Sequence, residues 1–244
     1  MNEKPDIQTE TASMPSGVLA WVATLLLGAG LPLVLVLAGG ASWRAAGMGA
    51  LSWALGLALK LPVAGEITVR LTPRGPARLA MAQGLASAAC ELGMAAVLFR
   101  YADVSSRSDV VYAVSAGCIE CLFLTLSAIL TTSGPPGLVA LQWAEGARKS
   151  LWIRNSMFVE RVIAVAGHLG SRGLVGIALL TGAVWPALFA VLSFATTDGW
   201  AAFGLERRWN WYSLRTFRMF HGGCAAIAAL EVALFFVLLQ KTDV

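Results

Sequence analysis

Seven apolar stretches, each about 20 residues long, divide this chain, and that is the length a helix needs to cross the hydrocarbon of a bilayer. They are Val18–Gly39, Ala45–Gly65, Arg78–Phe99, Asp109–Thr131, Ser156–Leu180, Gly182–Gly204 and Gly222–Gln240. The pattern predicts an all-α fold, a polytopic transmembrane helix bundle of about seven spans. Composition agrees: 57% of the 244 residues are hydrophobic and 13% are charged, where soluble domains carry roughly 25% charge. Mean hydropathy is +0.71. The one polar segment, residues 1–16, is Pro-containing and acidic, which predicts a disordered tail. It lacks the basic start of a signal peptide. Residues 17–244 read as a single membrane domain.

Arginine and lysine give an expected orientation. Eleven lie at the N-terminal side of the bundle: Lys4, Arg70, Arg74, Arg78, Arg148, Lys149, Arg154, Arg207, Arg208, Arg215 and Arg218. Five lie opposite: Arg44, Arg100, Arg107, Arg172 and Lys241. Cytoplasmic loops carry the excess. The expectation is an integral protein of a plasma or bacterial-type inner membrane, with a cytoplasmic N-terminus and an outside C-terminus. A net charge of +4 is explained by these loops and by lipid headgroups, so nucleic acid is not expected as a partner. Trp143, Trp152, Trp200, Trp209 and Trp211 flank spans and fit an aromatic belt.

The spans carry ionisable residues, which are costly in lipid and face the bundle interior. Glu91 lies in the third, Glu120 in the fourth, and Glu160, Arg161 and His168 in the fifth. On a helical wheel Arg161 and His168 are about 20° apart and Arg172 about 40° from His168. The acids are expected to face this cationic stripe. Small residues, Ala82–Gly84–Ala86–Ala88–Ala89 and Ala113–Ala116–Gly117, predict a close contact between the third and fourth spans. Such a contact would bring Glu91 and Glu120 together.

Three readings of this centre stand open. It is a structural ion-pair cluster of Glu160, Arg161 and Arg172. It is a metal site of Glu91, Glu120 and His168, with zinc as the candidate metal activating a water. Or Glu91, Glu120 and Glu160 act as acids and bases in catalysis. Cys118 and Cys121 form a Cys-x-x-Cys that reads as packing, with Glu120 on a different face. Cys224 reads as packing, His221 as interfacial and Asp198 as a helix-end residue. Ser171–Arg172–Gly173 is a possible break between the fifth and sixth spans. No cofactor-binding motif is found.

Lys60-Leu61-Pro62 at the end of an early span, and Glu160-Arg161 followed by Gly167-His168, carry a family resemblance. In that order they resemble the YhfC family of intramembrane metalloprotease-like proteins, within a wider group containing the CPBP and PrsW-type proteases and the Aph subunit of gamma-secretase. The resemblance covers roughly residues 45–200. It implies a membrane-embedded peptidase centre, a hydrolase, acting on membrane-protein substrates. The chain departs from the family pattern where paired glutamates become Cys90-Glu91, an arginine falls near Met94 and a histidine falls at Ala116. The expected function is therefore a divergent member that binds membrane helices or partners around its buried Glu/His/Arg cluster. The alternatives are an active peptidase and a small transporter or lipid-binding protein.

Overall fold

The computed structural model describes residues 15–102, 106–131 and 138–242. The tail expected over residues 1–16 lies outside them up to residue 14, as does the side chain of Arg107. Among the described residues there are nine α-helices and no strand, and seven helices are long and apolar enough to cross a membrane. These seven are α1 (Pro15–Leu37), α2 (Trp43–Leu71), α3 (Pro76–Phe99), α4 (Ser106–Thr131), α7 (Ser156–Thr181), α8 (Val184–Glu206) and α9 (Leu214–Thr242). The fold is an all-α bundle with the composition of an integral membrane protein.

Two shorter helices, α5 (Leu138–Lys149) and α6 (Leu151–Arg154), join α4 to α7. Hydropathy windows pass over α5 because one of its sides is polar. On that side Lys149 donates to Glu145 at 2.7 Å and holds that carboxyl below its ordinary value. Gly146 lies against the Tyr212 carbonyl, which docks α5 on the segment before α9.

Helix ends follow local chemistry. Ser42 accepts from the backbone N–H groups of Arg44 and Ala45, a side-chain cap for α2. α2 runs on past the expected end at Gly65 to Leu71, and α9 begins at Leu214 rather than Gly222. The break considered at Ser171–Arg172–Gly173 does not exist. α7 is continuous to Thr181 and stops at Gly182, whose φ of 74° suits glycine. Its N–H closes on the Ala178 carbonyl at 2.9 Å.

α7 is the central helix, packed against α4, α8, α9 and, less extensively, α3. A Cβ at Gly117 of α4 would lie 2.8 Å from the Val165 Cα of α7, so glycine there lets two backbones meet. The third and fourth spans do not meet through these small residues and touch where the Tyr112 hydroxyl of α4 donates to the Ala95 carbonyl of α3 at 2.7 Å. α3 packs instead between α2 and α8, and its Gly84 lies against Ala195 and Gly199 of α8. Small residues mark where backbones approach, and they do not say which helix approaches.

Candidate functional site: an ion-paired centre along α7

One side of α7 carries Arg161, His168 and Arg172 into the bundle, all buried. Each meets a carboxylate from another helix, forming two clusters one above the other.

The lower cluster gathers around Glu120 of α4. Arg161 Nη1 donates to Glu120 Oε1 at 2.7 Å. His168 Nε2 lies 2.7 Å from Glu120 Oε2, and the Trp53 indole N–H donates to that same oxygen at 3.0 Å. Arg161 also donates to Glu160 at 2.5 Å. The Glu160 side chain is half exposed and that of Glu120 is 18% exposed. Trp53, one of nine tryptophans, therefore serves this carboxylate rather than an interfacial belt.

The upper cluster gathers around Glu91 of α3. Arg172 of α7 donates through Nη2 to Glu91 Oε2 at 3.2 Å and through Nη1 to the Glu91 carbonyl at 3.4 Å. Lys60 of α2 donates to Glu91 Oε1 at 2.9 Å and to Asp198 of α8 at 2.8 Å. The Ser87 hydroxyl also donates to Asp198. Asp198 is thus part of the centre and not a helix-end residue. Lys60 was read from the sequence only as part of a motif. Gly56 makes this approach possible, since a Cβ there would lie 3.0 Å from the Glu91 Cα.

The expected residues divide between these clusters. Glu120, Glu160, Arg161 and His168 share the lower one, and Glu91 and Arg172 share the upper. Arg172 pairs with Glu91 and not with Glu160. The cysteines are free, and the Cys118 and Cys121 thiols point toward backbone carbonyls of α1 at 3.6 and 3.9 Å. His221 is in the second turn of α9, stacked on Phe217 with centroids 4.2 Å apart.

A shared metal does not fit these donors. Among the described residues no three His, Cys, Asp or Glu side chains are grouped to hold one ion. Both oxygens of Glu91 face cations, and those of Glu120 face Arg161, His168 and Trp53. A zinc bound by Glu91, Glu120 and His168 would have to displace these contacts. The arrangement can hold charge, hold helices in register, and share a proton between Glu120 and His168.

Two buried carboxyls lie outside the clusters and were not singled out from the sequence, although Glu231, an acid within the last apolar stretch, carries the same signal as Glu91. Glu231 of α9 accepts from the Ser193 hydroxyl of α8. Asp109, in the first turn of α4, is fully buried, and neither oxygen has a hydrogen-bond partner among the described residues. It lies against Gly176 of α7, where a Cβ would collide with the carboxyl.

No protein-family model, curated protein or solved structure matches this chain.

Proposed function

We propose that this protein binds a helix or peptide segment of a membrane partner at the open rim of its ion-paired centre, without hydrolysing it. The observation that carries this reading is the Lys60–Asp198 ion pair. It joins α2 to α8 near the middle of both helices, and its side chains remain 28% and 33% exposed. Hydrocarbon leaves polar groups at that depth unsatisfied. A polar or charged group on a partner helix would cover the pair. The closed acids behind it, Glu91 and Glu120, are held by cations and so support a fixed recognition surface rather than a water-activating one. The sequence resemblance to YhfC-type proteins is in keeping with a divergent, non-catalytic relative of that group.

The test is photo-crosslinking in native membranes from Leu57 and Ala201, one turn from Lys60 and Asp198. A discrete membrane-protein adduct is expected in the wild type and should be lost in Lys60→Met/Asp198→Leu. Adducts unchanged by the double substitution would overturn the proposal.

A second reading rests on one contact. Glu120 and His168 form a 2.7 Å pair in which the carboxylate keeps some exposure, the geometry of a general acid–base pair. It supports an active peptidase. Cleavage of a membrane-peptide reporter that disappears in Glu120→Gln would favour it over the first.

A further inference from the structure

A second site borders the Glu160–Arg161 end of the ion-paired centre, at the end of the bundle that holds most of the arginines. There α6 and the first turns of α7 and α9 enclose a groove of about 280 Å³. Its apolar wall is made by Val159 and Ile163 from α7 and Ala225 from α9. Trp152 stands at its mouth, 63% exposed. Its headward wall holds Arg218 and His221, one turn apart. His221 is fixed by stacking on Phe217 and by a 3.2 Å contact from Nδ1 to the Phe217 carbonyl. Arg218 is exposed and makes no ion pair among the described residues.

We infer that this groove is a binding site for the phosphate headgroup of an anionic phospholipid. Arg218 supplies the charge, Trp152 the interfacial ring, and the Val159–Ile163–Ala225 wall the surface along which an acyl chain descends. Basic pockets between spanning helices take acidic headgroups in this way, each cation near the surface contributing about fivefold in affinity. A cation paired inside the protein would not be available for this. Arg161, only two turns along α7, is engaged by Glu120 and Glu160, whereas Arg218 is not so engaged.

The experiment uses the whole chain in nanodiscs and in detergent. Lipid retained through purification is quantified by mass spectrometry, and the thermal midpoint is followed as phosphatidylglycerol, phosphatidylcholine or inorganic phosphate is added. Two variants probe the site independently. Arg218→Gln removes the charge. Gly222→Phe fills the groove, since a Cβ at Gly222 meets nothing within 4 Å. Arg215→Gln, a neighbouring arginine outside the lining, controls for general surface charge. The expected result is retained phosphatidylglycerol and a midpoint raised by that lipid alone. In Arg218→Gln the phosphatidylglycerol concentration needed for a given shift should rise about fivefold; in Gly222→Phe retention and shift should be lost, and in Arg215→Gln both should persist. Equal stabilisation by phosphatidylcholine would overturn the inference. So would a shift by inorganic phosphate alone, which would assign the site to a free anion, or retention unchanged in both site variants.

Discussion

Breaking the Glu91–Arg172 pair should cost more than any other single ionic change in this protein. Arg172 is fully buried, and its only acceptors among the described residues are the carboxylate and carbonyl of Glu91. Its Nε is already without a partner among the described residues. Glu91→Gln therefore leaves a guanidinium in the interior facing a neutral amide, whereas Lys60 still keeps Asp198 at 2.8 Å. Polar contacts between membrane helices average only about 0.6 kcal/mol, because partners are found elsewhere. Stranding a buried charge costs about 3–5 kcal/mol, because none is found. Arg172 has no exposure through which to relax, so a loss of about 3 kcal/mol is expected. Arg172→Met should cost less, since Glu91 keeps Lys60 at 2.9 Å. The double variant Glu91→Gln/Arg172→Met should recover most of the loss of Glu91→Gln. Reversible unfolding of the purified protein by an SDS titration gives all three values as a double-mutant cycle. A double variant as unstable as the sum of the two singles would refute the reasoning, since the pair would then be uncoupled.

Other outcomes follow from the same geometry. Gly117→Leu should destabilise by about 1–3 kcal/mol or prevent folding, because its side chain would meet the α7 backbone at Val165; the same titration reads it. Asp109→Leu, nearly isosteric, should stabilise by about 1–3 kcal/mol, since the carboxyl it replaces is buried without a hydrogen bond among the described residues; a lower thermal midpoint would reveal a partner for Asp109. Gly182→Ala should lower stability by about 1 kcal/mol through its positive φ, measured by thermal unfolding. Metal analysis of the detergent-purified protein should find no stoichiometric zinc in wild type or His168→Ala. One equivalent in the wild type, absent from the variant, would restore the metal reading.

Much of the fold was legible because lipid imposes one length and one backbone solution on every span. The stripe Arg161–His168–Arg172 was legible for a related reason, since helical phase alone fixes which side chains share a face. Partners were not legible. Phase says that Glu91 faces inward, but not that Lys60 and Asp198 meet it there, because neither helix order nor tilt is written in the period. The small residues of α3 and α4 misled in the same way, marking close approach without naming α8 and α7 as the approaching helices. α5 escaped because a short helix with one polar side never reaches the hydropathy of a span. Asp109 escaped because an acid in a first helical turn usually reads as dipole complementation, and nothing local distinguishes a buried one.

The Lys60 ion pairs also set an order of events in biogenesis. Lys60 enters the membrane with α2, but Glu91 follows 31 residues later and Asp198 follows 138 residues later. At synthesis rates of roughly 5–20 residues per second, the first counter-charge arrives after about 2–6 s and the second after about 7–28 s. Until then neither of the acids that Lys60 meets in the folded bundle has been made. The hairpin of α2 and α3 neutralises it first, and α8 completes the centre only when most of the chain has been made. Assembly of this bundle is therefore gated by its sixth span, and a ribosome stalled before α8 leaves the membrane holding a cation with half of its partners.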